Sequence, residues 1–144
     1  TVVRFGDHVD SMVSDLGCAD VVVSFETTEA LRNLPYLKEG GYLLVADETI
    51  KPLPVQTGRA SMPADARGQL RDFGATLIPA GSLALEIGSP KSVNVVLLGA
   101  LSTRLDFPEE AWESVIRARV PQKTVDANLK AFHTGRSFAE TAGK

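Results

Sequence analysis

Apolar residues change rhythm along this chain, and each change predicts an element. Val21-Val22-Val23, Tyr42-Leu43-Leu44-Val45 and Ala75-Thr76-Leu77-Ile78 are short unbroken runs. Runs of this kind predict strands covered on both faces, as in a parallel sheet. Between them the spacing lengthens to the helical one. Ala30, Leu31 and Leu34 share a face over residues 26–37, which Pro35 interrupts. Pro63 opens a second helix in which Ala66, Leu70 and Phe73 fall at i, i+4 and i+7, and Gly74 is its left-handed stop. Ser82 caps a short helix over 83–87 that ends at Gly88. From Pro90 onward the pattern is helical throughout. Val93, Leu97, Ala100 and Leu101 form one face, then Ala111, Trp112, Val115 and Ile116, then Val125, Leu129 and Phe132 up to Gly135. At the front, Val3 and Phe5 alternate with Arg4, and Gly6-Asp7 supplies a turn, so residues 1–11 predict a β-hairpin. Gly40-Gly41 predicts a further turn, and the proline-rich stretch 49–63 a loop.

Strands alternating with helices imply parallel pairing with helices on both faces. The expected fold is therefore a three-layer, Rossmann-like α/β domain with a mostly parallel sheet, an N-terminal β-hairpin and a C-terminal helical extension. A chain of 144 residues suits one domain. The expectation places that domain over residues 1–137, with a polar tail over 138–144.

Composition removes several functions. The net charge of -3 is spread along the chain, which argues against a nucleic-acid face. No apolar run reaches the roughly 20 residues that a membrane helix needs. Cys18 is the single cysteine, so an intrachain disulfide is excluded and a cytoplasmic location is expected. One thiolate cannot hold an iron–sulfur cluster. There is no glycine-rich phosphate loop, no nucleophile elbow, and neither His8 nor His133 stands at helical spacing from a second metal ligand. Cys18 itself, between Gly17 and Ala19, has no cationic neighbour to make it reactive and reads as a small residue at the edge of the core.

One constellation carries potential chemistry. Open α/β sheets bind ligands beyond the carboxyl ends of their strands. There the sequence places Glu26, Thr27 and Thr28 after one strand, and Asp47 with Glu48 and Thr49 after the next. Converging carboxylates can do acid–base work. The plainer reading has Thr27 or Thr28 capping the helix, with Glu29 in its first turn and the acids solvated. Asn94 is the other candidate. Set in an apolar helix, its amide needs a partner, either a neighbouring backbone or a ligand or second subunit.

An ordered set of segments resembles a known family. Ala19-Asp20-Val21-Val22-Val23 with Glu26, Glu29-Ala30-Leu31-Arg32, Leu34-Pro35-Tyr36-Leu37 and Gly40-Gly41 resemble the γ-type component of the 2-oxoacid:ferredoxin oxidoreductases. So do Asn94-Val95-Val96-Leu97-Leu98-Gly99-Ala100-Leu101-Ser102 and Pro108-Glu109-Glu110-Ala111-Trp112. Val120-Pro121, Asn128-Leu129-Lys130-Ala131-Phe132 and Gly135-Arg136 are similar to the indolepyruvate-type β-subunits of that family. The resemblance implies a subunit of an enzyme that oxidatively decarboxylates an aryl pyruvate to an acyl-CoA. Thiamine diphosphate, the iron–sulfur clusters and the CoA site would reside on a larger partner subunit, with ferredoxin receiving the electrons and no cofactor or catalytic residue on this chain. The family's opening Gly-x-Gly-Gly-Gln-Gly turn has no counterpart here, so a missing first βα unit is expected, with self-association as one way to cover the gap. Thr27 stands where the family often has proline, and Asp47-Glu48 where a neutral pair is usual. Two other functions remain open at this stage: a free-standing small-ligand module, and an acid–base enzyme using Glu26 and Asp47.

Overall fold

A computed structural model describes residues 1–51 and 53–142. In order it contains β1 (Ala19–Ser24), α1 (Thr27–Asn33), β2 (Leu37–Ala46), α2 (Leu53–Gln56), α3 (Ala66–Asp72), β3 (Thr76–Ile78), α4 (Ala80–Glu86), α5 (Val93–Ser102), α6 (Glu109–Arg119) and α7 (Val125–Ala142). The strands form one sheet in the order β1-β2-β3. Both pairings are parallel, with Val22 beside Leu43 and Val45 beside Leu77.

Side-chain alternation along β2 builds the three layers. Leu43 and Val45 meet Ala30 of α1 and Leu70 of α3 on one face, with Val22 and Leu77 at the margins. Leu44 and Ala46 point the other way, into a larger core with Ala84 of α4, Val96, Leu97 and Ala100 of α5, and Leu129 and Phe132 of α7. The unbroken apolar runs are thus strands buried from both sides. The C-terminal helices form the second covering layer rather than an appendage.

Helices α5 and α7 cross at two glycines. A Cβ on Gly99 would lie 1.9 Å from the carbonyl oxygen of Phe132, and one on Gly135 would lie 1.8 Å from that of Val96. Gly135 therefore does not end the last helix as expected. It admits α5, and α7 continues to Ala142 with Ala139 buried. Helix α6 is more lightly held. Ile116 is buried and Trp112 packs on the core, while Ala111 and Val115 of the expected stripe are exposed.

The expected hairpin over residues 1–11 does not form, and residues 1–18 contain no strand. An isolated two-stranded ribbon is marginal without a third strand or a helix to lean on. Instead the Arg4 guanidinium donates to the carbonyls of Ser11 (2.8 Å) and Val13 (2.9 Å). The Phe5 ring meets Phe107 at 5.6 Å, Phe107 meets Trp112 at 5.9 Å, and Trp112 meets Phe132 at 6.3 Å. Cys18 is exposed rather than at the core edge.

Gly40-Gly41 is not a turn either but a bulge inside β2. Pairing passes from Ala19–Leu37 to Val21–Tyr42, so β2 advances five residues while β1 advances two. Gly40 takes φ 72°, a conformation open to glycine, and the excess residues loop outward. Helix α3 begins after Asp65, whose side chain accepts from the Gly68 amide, so Pro63 lies outside it. Phe73 is exposed. Helix α4 begins at Ala80 after Pro79, which offers no cap of its own, so Ser82 lies within it.

Candidate functional site

Strands β1 and β2 end level with each other, Ser24 beside Val45, and the polar residues that follow share one end of the sheet. Glu26 is extended (φ -162°, ψ 159°) and is itself the cap of α1, the role expected of Thr27 or Thr28. Its carboxylate accepts from the amides of Thr28 (3.1 Å) and Glu29 (2.7 Å), two donors that the helix start leaves unpaired. The longer acid reaches because Ser24 Oγ donates to the Glu26 carbonyl at 2.8 Å and fixes the backbone there.

Thr27 is 1% exposed and ties the two strand ends together. Its amide donates to the Glu48 carbonyl at 3.0 Å, and its hydroxyl lies 3.4 Å from that of Thr49. Asp47 pairs with Arg67 of α3, and Glu48 accepts from the Gly81 amide of α4 at 3.1 Å. Glu26 and Asp47 therefore hold different partners, one a helix start and the other a neighbouring helix. Arg67 and Gly81 are distant in sequence, and no local pattern marked them. Among the described residues, the buried Thr28 hydroxyl at this end of the sheet finds no hydrogen-bond partner. Asn94 is exposed in the first turn of α5, so its amide needs no buried partner, contrary to expectation. The α5 face that carries the core turns it outward.

A second cluster lies between α6 and α7. His133 stands mid-helix, its Nδ1 3.1 Å from Glu109 and its Nε2 3.2 Å from Glu113. Arg136 Nε meets the other Glu109 oxygen at 3.0 Å, while its Nη1 donates to the buried Ser102 hydroxyl at 3.0 Å. One ligand atom from each of Glu109, Glu113 and His133 falls within 4.8 Å of the others. Each ring nitrogen faces its own carboxylate, and Arg117 approaches Glu113 as well (3.6 Å). The sequence signal was the i, i+4 spacing of Glu109 and Glu113. What it lacked was the pairing of α6 with α7. A separate cleft of about 360 Å³ is lined by Ser89, Lys91, Ser92, Thr124 and Asn128.

The profile of the pyruvate ferredoxin/flavodoxin oxidoreductase family matches residues 1–138. The chain belongs to that family. An indolepyruvate oxidoreductase subunit IorB of Thermococcus kodakarensis is 43% identical, aligned over 96% of this chain and 72% of its own length. The Pyrococcus horikoshii protein of the same name is 41% identical over the same shares. Among solved structures, the γ subunit of a keto/oxoacid ferredoxin oxidoreductase from Geobacter sulfurreducens superposes with a TM-score of 0.63 at 25% identity. That match covers 87% of this chain and 66% of the other. The family resemblance read from the ordered segments is thereby shown, as is the α/β fold it implied. No helix among the described residues is long and apolar enough to cross a membrane.

Proposed function

We propose that this chain is the small subunit of a 2-oxoacid:ferredoxin oxidoreductase of the indolepyruvate type. The complex would oxidatively decarboxylate an aryl pyruvate to an acyl-CoA and pass the electrons to ferredoxin. The observation that carries this reading is the family match along residues 1–138, joined to 43% identity with a curated indolepyruvate oxidoreductase subunit.

The residues present do not fit the redox cofactors. An iron–sulfur cluster takes four thiolates, and the chain has one exposed cysteine. The acids at the strand ends already hold an arginine or backbone amides. On this reading thiamine diphosphate, the clusters and the CoA site belong to a larger partner subunit, and the present chain completes the assembly. The test is co-expression with such a partner. The tagged chain should capture it, and the pair should reduce a viologen dye when given indolepyruvate and CoA. The chain alone should be colourless and inactive. A partner that turns over equally well without this chain would sink the proposal, as would iron and sulfide bound stoichiometrically to the chain itself.

A second reading, a free-standing small-ligand module, rests on the buried and unpartnered Thr28 hydroxyl beside the strand ends. Calorimetric titration of the isolated chain with 2-oxoacids decides it. Binding that disappears in Thr28→Val favours the module, and no heat in either protein removes it.

A further inference from the structure

Helices α6 and α7 bring together side chains that the proposed function does not use. Glu109 and Glu113 stand one turn apart on one face of α6, and His133 of α7 reaches between them. The two carboxylates divide their oxygens in the same way. Glu109 gives one to Arg136 Nε (3.0 Å), and Glu113 gives one to Arg117 Nη2 (3.6 Å). The other oxygen of each is turned on the ring, 3.1 Å from Nδ1 and 3.2 Å from Nε2. Among the described residues the ring is the sole partner of each inner oxygen.

A neutral imidazole has one N–H and one lone pair. It can donate to one of these oxygens, and the other then faces a lone pair at hydrogen-bond distance. The contacts call for one more positive centre between the helices. We propose that Glu109, Glu113 and His133 bind a divalent transition-metal ion of the zinc class, which staples α6 to α7. One imidazole nitrogen with two carboxylate oxygens is a donor set that zinc accepts, whereas magnesium and calcium take oxygen and have no use for the ring.

One ligand atom from each residue lies within 4.8 Å of the others. Tetrahedral zinc, with bonds of about 2.0–2.2 Å, sets its ligand atoms about 3.4 Å apart. Rotation within the two long, partly exposed glutamate side chains closes that difference without moving a helix. One ring nitrogen then joins both inner oxygens on the ion, the other keeps its N–H, and water takes the fourth position. The supporting contacts are already made. Arg136 Nη1 donates to the buried Ser102 hydroxyl at 3.0 Å, so the orientation of Glu109 is set from the core. Partners of this kind fix metal ligands in place, and both arginines leave the inner oxygens to the ion. Helix α6 is otherwise held mainly by Ile116 and Trp112, so a staple there strengthens its weakest attachment.

Calorimetric titration of the metal-free chain with zinc chloride tests this, in a Cys18→Ser background that removes the one thiol. One ion per chain should bind, and saturating zinc should raise the melting temperature. His133→Ala and Glu113→Gln should each weaken binding by about tenfold or more, with an unchanged circular dichroism spectrum and a smaller rise in melting temperature. His8→Ala changes the other histidine and should leave zinc binding unaltered. Magnesium should bind far more weakly than zinc and be indifferent to His133→Ala. No zinc binding up to millimolar concentration would overturn the proposal and leave a second ring proton as the bridging charge. So would binding that either His133→Ala or Glu113→Gln leaves intact, binding lost in His8→Ala, or magnesium held as tightly as zinc.

Discussion

Gly99→Ala adds a methyl group where α5 and α7 touch, and its consequence can be worked from the atoms it meets. The new Cβ would stand 1.9 Å from the Phe132 carbonyl oxygen, 2.8 Å from its carbon and 3.0 Å from the Arg136 nitrogen. An ordinary carbon–oxygen contact is about 3.3–3.6 Å, so the helices must part locally by at least about 1.4 Å. All three obstacles are backbone atoms, and no side-chain rotation relieves them. Opening the crossing loosens Val96, Leu97, Ala100 and Phe132, the centre of the larger core. Overpacking of this kind costs about 1–3 kcal/mol, against the roughly 1 kcal/mol that alanine gains over glycine in a helix. With only backbone in the way, the net loss should be about 2 kcal/mol. For a domain of this size that lowers the melting temperature by roughly 8 °C. Gly135→Ala should do the same through Val96. The double variant should lose about 1 kcal/mol less than the sum, because one separation relieves both clashes. Urea and thermal denaturation of the four proteins together measure all of this. If Gly99→Ala proved neutral, or more stable by the helix-propensity gain, the close crossing would not exist.

Two further outcomes follow from polar contacts. Glu26→Ala removes the acceptor for the Thr28 and Glu29 amides and should cost about 1 kcal/mol in denaturant unfolding; an unchanged midpoint would mean water caps α1 equally well. The hydrogen bond and charge of Lys38 hold the Asp20 carboxyl below its ordinary value of 3.8. A depressed folded value means the pair stabilises above the unfolded pKa, and that contribution is lost as pH falls through the lower folded one. The contribution is small because both groups are exposed. An NMR titration of Asp20 should show a midpoint below 3.8 that returns upward in Lys38→Met; an unmoved midpoint would contradict the pairing.

The three strands were legible because their code is local. Val21-Val22-Val23, Leu43-Leu44-Val45 and Leu77-Ile78 are apolar on consecutive positions, which a two-sided strand requires and an amphipathic helix does not. Glycine was where local reading failed. Gly135 has the sequence of a helix stop and Gly40-Gly41 that of a turn, yet the first admits a crossing helix and the second a bulge. Both outcomes are set by what lies across the gap rather than by neighbours in sequence. The strand-end site failed similarly. Its members were correctly placed after β1 and β2, because topology fixes that end. Their partners were not, since Arg67 and Gly81 arrive from α3 and α4. The apolar run around Asn94 predicts a helix buried all round, whereas α5 keeps an exposed line that carries this residue.

The rings of Phe5, Phe107, Trp112 and Phe132 form a relay from an irregular leading segment to the centre of the core. Trp112 is the one tryptophan and occupies the middle of that relay. Its emission is therefore a built-in gauge of two separate events. Release of the leading segment would remove Phe5 from Phe107 and wet the outer side of the indole while the core stayed intact. Detachment of α6 would strip away Phe132 and wet the inner side. Quenching by a water-borne solute, followed across mild denaturant, would register these as successive steps. The same side chain that glues α6 down thus lets an observer see which part of the molecule loosens first.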